Sequence, residues 1–457
     1  MMRIGSNRVH LVGIGGAGLS ALARMLHRAG GEITGSDAVE NEVVHALRTE
    51  GVEVWSGSHP ERVRGENGYV VRSAAVPTTD REVLECERRG FTSLLYAEAV
   101  GRLSEGKRTL AIAGTHGKTT TTGMTVAGLR GSGIDPSHLI GGEIPEFGGN
   151  GHGGADDVFV VEACEFNRSF HHLRPYSAAV LNLDRDHFDC YPSNDELIEA
   201  FAGYVARVRP GGTVFVHDAI PSLIVDSVCK QVRVVRVGEG LFADYRAIDV
   251  ASNLGCYSFV PLVFGERLPR VELRLPGRFQ MTNALFSIGL AQSVGADAAG
   301  VARGLSAFDG VRRRFELHTG AGGGVLVNDY AHHPEELRVV LRAARQRFPG
   351  KRLLAVFQPH QHERTEQLFD EFADALSLAD ECIIAEIYGA RENGRPPAVT
   401  ASDLAGAVRT AGVRAAVGAS LDSLPALILE RRQGDDLIMI LGAGDVADVV
   451  HDVVTRI

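Results

Sequence analysis

Twice in this chain an apolar run of strand length ends in a glycine-rich turn and passes into a helical pattern. The first run is Arg8-Val9-His10-Leu11-Val12, followed by Gly13-Ile14-Gly15-Gly16-Ala17-Gly18. The second is Thr109-Leu110-Ala111-Ile112-Ala113, followed by Gly114-Thr115-His116-Gly117-Lys118-Thr119-Thr120. A strand that enters a helix through a tight glycine turn opens a βα unit, and such units stack into parallel sheets covered by helices. The same turn leaves backbone N–H groups at a helix N-terminus, where an anion is favoured. Two such openings constrain the chain to an α/β architecture with two phosphate-type sites.

The rest of the chain agrees with that class. Helical patterns are expected over 17–29, 283–293, 334–347 and 364–378, and strands near Ile33 and over 69–72, 158–162, 178–183, 232–237 and 270–275. A last series of strands is expected at 325–329, 353–358, 381–387, 415–418 and 437–441. The polar stretch 102–107 reads as a linker. Three units follow: a Rossmann-like domain at 1–106, a central phosphate-loop domain with a β-rich extension at 107–312, and a doubly wound Rossmann-like domain at 313–457.

Composition narrows the partners. The chain has 457 residues, 44% of them apolar, and a formal net charge of −10 without a basic stripe, which disfavours nucleic acid. No apolar stretch approaches the roughly 18 residues of a membrane span, and the N-terminal run lacks a basic leader, so a cytoplasmic protein is expected. The six cysteines (86, 164, 190, 229, 256 and 382) form no C-x-x-C pair, as expected of reduced thiols rather than a disulfide frame or zinc ribbon.

The 13–18 turn is a full G-x-G-x-x-G, with Asp37 placed to reach a ribose hydroxyl. By itself it is open between NAD and another diphosphate ligand. The 114–120 loop offers amides, the Lys118 ammonium and the Thr119 hydroxyl to a polyphosphate and its Mg²⁺, although Ile112 stands where a strict Walker pattern has glycine. Glu162, Asp184, Asp186 and His187 close neighbouring strands, where an open parallel sheet binds its ligands, and Glu162 and His187 are candidate metal ligands. Asp329-Tyr330-Ala331-His332-His333-Pro334 and Gln358-Pro359-His360-Gln361-His362-Glu363-Arg364 are rich in histidine. They lack the cysteine or carboxylate set that completes a tetrahedral zinc site, so ligand stacking and hydrogen bonding are expected there. On these residues alone, an NAD-dependent dehydrogenase and a nucleotide-binding regulator without turnover remain alternatives.

Taken in order, these stretches resemble the Mur ligase family, ATP-dependent amide-bond formers of cell-wall synthesis. Glu162-Ala163-Cys164-Glu165, Asp186-His187, Arg313-Arg314-Phe315-Glu316 and Gly442-Ala443-Gly444-Asp445 extend the resemblance over the whole chain. The resemblance implies that the first loop holds a UDP-sugar, through His10, Gly13, Ile14, Gly15, Gly16, Ala17, Gly18, Asp37 and Ser73. It places ATP on Gly114 to Thr120 with Asn283, Arg313, Asp329 and Tyr330, and Mg²⁺ on Thr119, Glu162 and His187. Lys118, Glu162 and His187 become the catalytic set. An amino-acid site is implied at His332, His360, Arg364, Tyr388, Arg391 and Glu392.

The implied reaction joins L-alanine to UDP-N-acetylmuramate through an acyl phosphate, in a monomer or homodimer. The alternative within the family is a recycling ligase that attaches an L-alanyl-D-glutamyl-diaminopimelate tripeptide to the same sugar. Cys164 stands where the family often has an acid, Phe279-Gln280 where a His-Asn pair is usual, and Gln361 where an arginine is common. The last departure leaves Arg364 or Arg391 to hold the alanine carboxylate. Sister ligases use a carbamylated lysine at the position that is Ala202 here.

Overall fold

The computed structural model of the chain describes residues 8–188, 190–389, 398–418 and 420–457. Its strands fall into three sheets. The first is parallel, in the order β3-β2-β1-β4-β5, with β1 Arg8–Val12, β2 Glu32–Asp37, β3 Glu53–Ser56, β4 Tyr69–Arg72 and β5 Thr92–Leu95. Strand order reverses at β1, so the crevice beyond the carboxyl ends of β1 and β4 is the ligand position of an open α/β sheet. The 13–18 turn and Ser73 lie there; the Ser73 N–H donates to the Val12 carbonyl at 3.1 Å.

The second sheet has eleven strands. Its parallel part contains β6 Arg108–Ala113, β7 Ser137–Ile144, β9 Val158–Glu162, β10 Ser177–Val180, β11 Thr213–His217 and β12 Arg233–Val237. The short strand β8, Gly149–His152, pairs antiparallel with β7 at one edge. Beyond β12 the sheet continues through β13 Tyr245–Asn253, β14 Cys256–Val263, β15 Glu266–Arg267 and β16 Val271–Pro276, joined antiparallel at β14. The third sheet runs β17-β18-β22-β19-β20-β21, with β17 Glu316–Thr319 antiparallel at the edge of parallel strands β18 Val325–Asp329, β19 Leu353–Phe357, β20 Glu381–Ile384, β21 Arg414–Val417 and β22 Leu437–Leu441. The central strands β6, β19 and β22 are apolar almost throughout, as strands covered on both faces must be.

Three expected elements differ. The stretch read as a linker begins inside the helix Tyr96–Ser104, whose Ala99, Val100 and Leu103 are buried; the polar residues occupy its last turn. The expected helix over 364–378 is two helices, His362–Gln367 and Phe369–Leu376, separated where Leu368 leaves helical geometry. The helix expected from 283 begins a turn earlier, at Phe279, which draws Gln280 into the interior.

The first two sheets share one buried apolar cluster, running from Val9 and Leu11 through Phe159 and Phe170 to Val232. They are also joined by a polar clamp. Arg24, on the helix Ala17–Arg28, has only 3% of its side chain exposed. Its guanidinium donates to Glu50 Oε1 and to Asn150 Oδ1 of β8, both at 2.8 Å. Asn150 Nδ2 donates back to the Ala17 carbonyl at 3.0 Å. At Gly151 the backbones come so close that an added Cβ would fall 1.9 Å from the Ala21 oxygen. A buried guanidinium is tolerable only while these acceptors surround it. Arg24→Ala would leave Asn150 Oδ1 without its donor and Glu50 with Arg28 alone, and a loss of about 2–4 kcal/mol in urea unfolding is expected. An unchanged midpoint would show that the apolar cluster alone holds the two sheets together.

Candidate active site

Gly117 precedes the helix Lys118–Gly131 with φ +82°, and this left-handed geometry turns the loop from β6 into the helix. The loop is braced from the end of β10. Asn182 accepts from the His116 N–H at 2.8 Å and donates to its carbonyl at 3.0 Å, while Thr115 Oγ1 and the Asp184 backbone exchange two further bonds. Lys118 Nζ donates to the carbonyls of Gly114 (2.6 Å) and Thr115 (3.1 Å) and to Glu165 Oε1 (2.9 Å). Glu165 is buried; desolvation opposes its charge, but Lys118 and His187 outweigh that and hold its pKa below the usual carboxylate range. His187 Nε2 lies 3.5 Å from the same Glu165 oxygen.

Glu162, at the end of β9, sits one step away. Burial raises its pKa, against the Gly141 N–H and the Lys118 charge, and Thr119 Oγ1 donates to its Oε2 at 3.2 Å. A desolvated carboxylate beside a hydroxyl at the phosphate loop suits a divalent cation. Among the described residues no three His, Cys, Asp or Glu side chains converge as a metal site. A magnesium ion needs only one or two protein carboxylates, because phosphates and water complete its shell. Thr119 and Glu162 fit that role. His187, the third expected ligand, faces Glu165 across 3.5 Å.

A cavity of about 390 Å³ opens between this loop and the third sheet. His116, Gly117, Thr119, Thr120, Gln280 and Asn283 line one wall, and Arg314, Phe315, Asp329, Glu336, Val339 and Val340 the other. That size suits a small-molecule ligand. Asn283 Nδ2 donates to Gln280 Oε1 at 3.0 Å, so the residue that departs from the family's pattern holds the asparagine in place. Asp329 accepts from the N–H groups of Phe315 (2.7 Å) and Ala331 (2.8 Å), tying the 313–315 turn to β18; burial raises its carboxyl to about 6. Arg313 and Tyr330 are absent from this cavity's lining. Instead the Arg313 guanidinium stacks over the Tyr330 ring at 4.9 Å and donates to the carbonyls of Gly442 and Gly444, which explains the 442–445 motif as an anchor for that arginine.

Two ion pairs cross from the second sheet to the third. The Arg364 guanidinium binds Asp186 at 2.7 Å, both side chains under 10% exposed. The expected candidate for an amino-acid carboxylate is therefore already paired, and it also donates to the His360 carbonyl at 3.1 Å. His116 lies 3.2 Å from both Glu336 and Asp184. Burial disfavours its charge, but the two carboxylates prevail and raise the imidazole to about 9. Glu336 also accepts from the His332 N–H at 3.0 Å. His332, His360 and Tyr388 form a line of rings, with His360 stacked on Tyr388 at 5.5 Å and His332 edge-on to His360 at 6.0 Å. Burial lowers the His332 imidazole to about 3, so it stays neutral. Arg391 and Glu392 lie outside the described residues.

At the first loop the amides of Gly13 and Ile14 donate to the Ser36 carbonyl, and the Gly15 amide donates to Asp37 Oδ2 at 2.8 Å. The amides left to an anion are those of the first turn from Ala17, a helix without a side-chain N-cap. Asp37 holds the loop's shape, Ile14 is a core side chain, and His10 is buried. The His10 ring nitrogens face Thr34 at 2.9 Å and Glu82 at 3.3 Å, and the ring stacks on Trp55. Sequence reasoning placed these three at the ligand from the motif alone, and the bonds that His10 and Asp37 make inside the fold were not legible there. It missed Glu336, whose only signal was an acid in the first turn after the His-His-Pro stretch.

Two phosphate-type loops, each at the carboxyl edge of a parallel sheet, and a third sheet facing the second loop define a three-domain nucleotide-dependent ligase fold. Residues 8–108, 112–291 and 313–444 match, in turn, the Mur ligase family catalytic domain, the Mur ligase middle domain and the Mur ligase glutamate ligase domain. The chain belongs to the Mur ligase family. It is 38% identical to a UDP-N-acetylmuramate–L-alanine ligase of Mycolicibacterium gilvum, over 98% of this chain and 96% of that one. It is 37% identical to the enzyme of the same name in Streptomyces coelicolor, covering 97% and 96%. Among solved structures, the UDP-N-acetylmuramate–alanine ligase of Thermotoga maritima superposes with a TM-score of 0.80 at 26% identity over 99% of each chain. A murein peptide ligase from Psychrobacter arcticus shares the fold, with a TM-score of 0.71 at 22% identity over 98% of each chain.

The His116 clamp has a defined pH dependence. Its folded pKa, about 9, lies above the ordinary 6.5, so its contribution is complete below pH 6.5 and fades as pH rises through 9. The upper bound is roughly 3 kcal/mol. Unfolding profiles of the wild type and His116→Asn should therefore converge between pH 6.5 and 9.5. Parallel profiles would show that the ring carries no charge in the folded state.

Proposed function

We propose that the chain joins L-alanine to UDP-N-acetylmuramate at the expense of ATP, a step of peptidoglycan precursor synthesis. Whole-length similarity to enzymes with that name supports the substrate pair. The observation that carries the chemistry is Lys118 and the Thr119–Glu162 pair set side by side on one phosphate loop. The division of labour we infer assigns the sugar nucleotide to residues 1–106, ATP to 107–312 and the amino acid to 313–457.

In this reading the lactyl carboxylate attacks the γ-phosphorus, ADP leaves, and an acyl phosphate forms. The alanine amine then adds to the acyl carbon, and the tetrahedral adduct expels inorganic phosphate as the amide forms. Lys118 exchanges Glu165 for a phosphate oxygen, so its charge meets the transferring group instead of a carboxylate. Glu165, once released, is left with His187 as its partner. Thr119 and Glu162 would hold Mg²⁺, which supplies charge neutralisation on the phosphates. The His116–Glu336 and Asp186–Arg364 pairs hold the third domain over the loop, excluding water from the acyl phosphate. His332, neutral, and His360 line the approach of the amine as orienting groups.

Phosphate release should require UDP-N-acetylmuramate and an amino acid together, with L-alanine preferred over glycine, serine and the tripeptide. Release with tripeptide alone would favour the recycling ligase. Titration with NADH should give no binding. Lys118→Ala should lower kcat by at least about a thousandfold with the fold intact by circular dichroism, the scale seen when a preorganised electrostatic donor is removed. Near-normal turnover in that variant would remove the role given to the 114–120 loop.

A further inference from the structure

The proposed reaction needs a carboxylate and a phosphate, both anionic, to meet beside a loop that already carries Glu162 and Glu165. The carboxylate needs a donor that is not itself an acid. Tyr96 is placed for this. It opens the helix Tyr96–Ser104, whose start is fixed by the Leu95 N–H donating to Glu98 Oε2 at 2.7 Å. Its ring lies against the first loop: a Cβ built on Gly18 would stand 2.9 Å from Tyr96 Cζ and 3.2 Å from its Oη. The last glycine of G-x-G-x-x-G is thus bare because the phenol occupies that space.

The phenol also feels the charges of Glu162, which ends β9, and of Cys164 just after it. Burial, and then those two groups, push its pKa up, so it remains a donor throughout the physiological range. Tyr96 is half-buried, and among the described residues its hydroxyl has no hydrogen-bond partner. The ring packs against the apolar cluster shared by the first two sheets, which the Arg24–Asn150 clamp also joins, so Tyr96 sits where the two domains meet.

We propose that the Tyr96 hydroxyl binds the lactyl carboxylate of the sugar nucleotide and aims its free oxygen at the γ-phosphate held on the 114–120 loop. The assignment rests on the UDP-N-acetylmuramate reading above. It makes Tyr96 the residue that separates this sugar from its analogue without the lactyl ether, UDP-N-acetylglucosamine.

The test is Tyr96→Phe, which removes only the hydroxyl, titrated calorimetrically with both sugar nucleotides and assayed for turnover. A lost bond to a charged group predicts roughly ten- to hundredfold weaker binding of UDP-N-acetylmuramate. Binding of UDP-N-acetylglucosamine should be unchanged within about twofold, on the scale of a contact that was never made. The KM for ATP should hold while the KM for the sugar rises. Equal weakening of both nucleotides would make Tyr96 a packing residue and overturn the proposal, as would unchanged affinity for both. A wild-type protein that fails to bind or turn over UDP-N-acetylmuramate would overturn the parent reading and, with it, this one.

Discussion

Everything in the proposed chemistry depends on the distance between two glycine loops that lie on different sheets. That distance is set by the docking of the helix Ala17–Arg28 on the β7–β8 hairpin, where Arg24 reaches Asn150 and Gly151 lets the backbones touch. A charged side chain at the centre of such an interface is costly to bury and costlier to strand, so it specifies one arrangement. The shared apolar cluster adds area without direction; the guanidinium adds direction. The first two domains therefore present their phosphate sites as one rigid frame.

The third domain is held differently. Its ties to the frame include two buried ion pairs, His116 to Glu336 and Asp186 to Arg364, beside the packing of Phe188 on its apolar core and a hydrogen bond from Tyr257 to Gln346. Such pairs are strong while dry and weaken when water reaches them, because the effective dielectric rises. A domain docked through ion pairs and a small apolar contact around a cavity can open for substrates and close for chemistry without disturbing the two loops. The electrostatics of the loop follow the same logic. Lys118 rests on Glu165, a carboxylate that a phosphate oxygen can replace at little cost in charge balance.

Much of this was legible in the sequence where the signal is local. The strand–glycine–helix spacing placed both loops, β1, β9, β18 and β22 at the residues where they stand, because hydrophobic periodicity and turn geometry are short-range properties. Long-range pairings were not legible. The partner of His116 lies 220 residues away and that of Arg364 lies 178 away, and nothing in either neighbourhood says which acid each will meet. Arg364 looked like a free carboxylate receptor for that reason. Asp37 and His10 matched a ligand-binding pattern, yet their polar atoms serve the loop's own amide and a buried carboxylate. Gly18 was read as part of a phosphate fingerprint; its neighbour Tyr96, on a helix taken in part for a linker, gives the glycine its physical reason.

In the proposed mechanism the sugar's carboxylate attacks the γ-phosphate before the amide forms. UDP-N-acetylmuramate labelled with ¹⁸O in both lactyl carboxylate oxygens tests it directly, by mass analysis of the inorganic phosphate released in the complete reaction. One labelled oxygen should appear in each phosphate, since the attacking oxygen leaves with phosphorus when the amine displaces it. Phosphate free of label would mean that ATP is cleaved by water or at another bond, and would contradict the account.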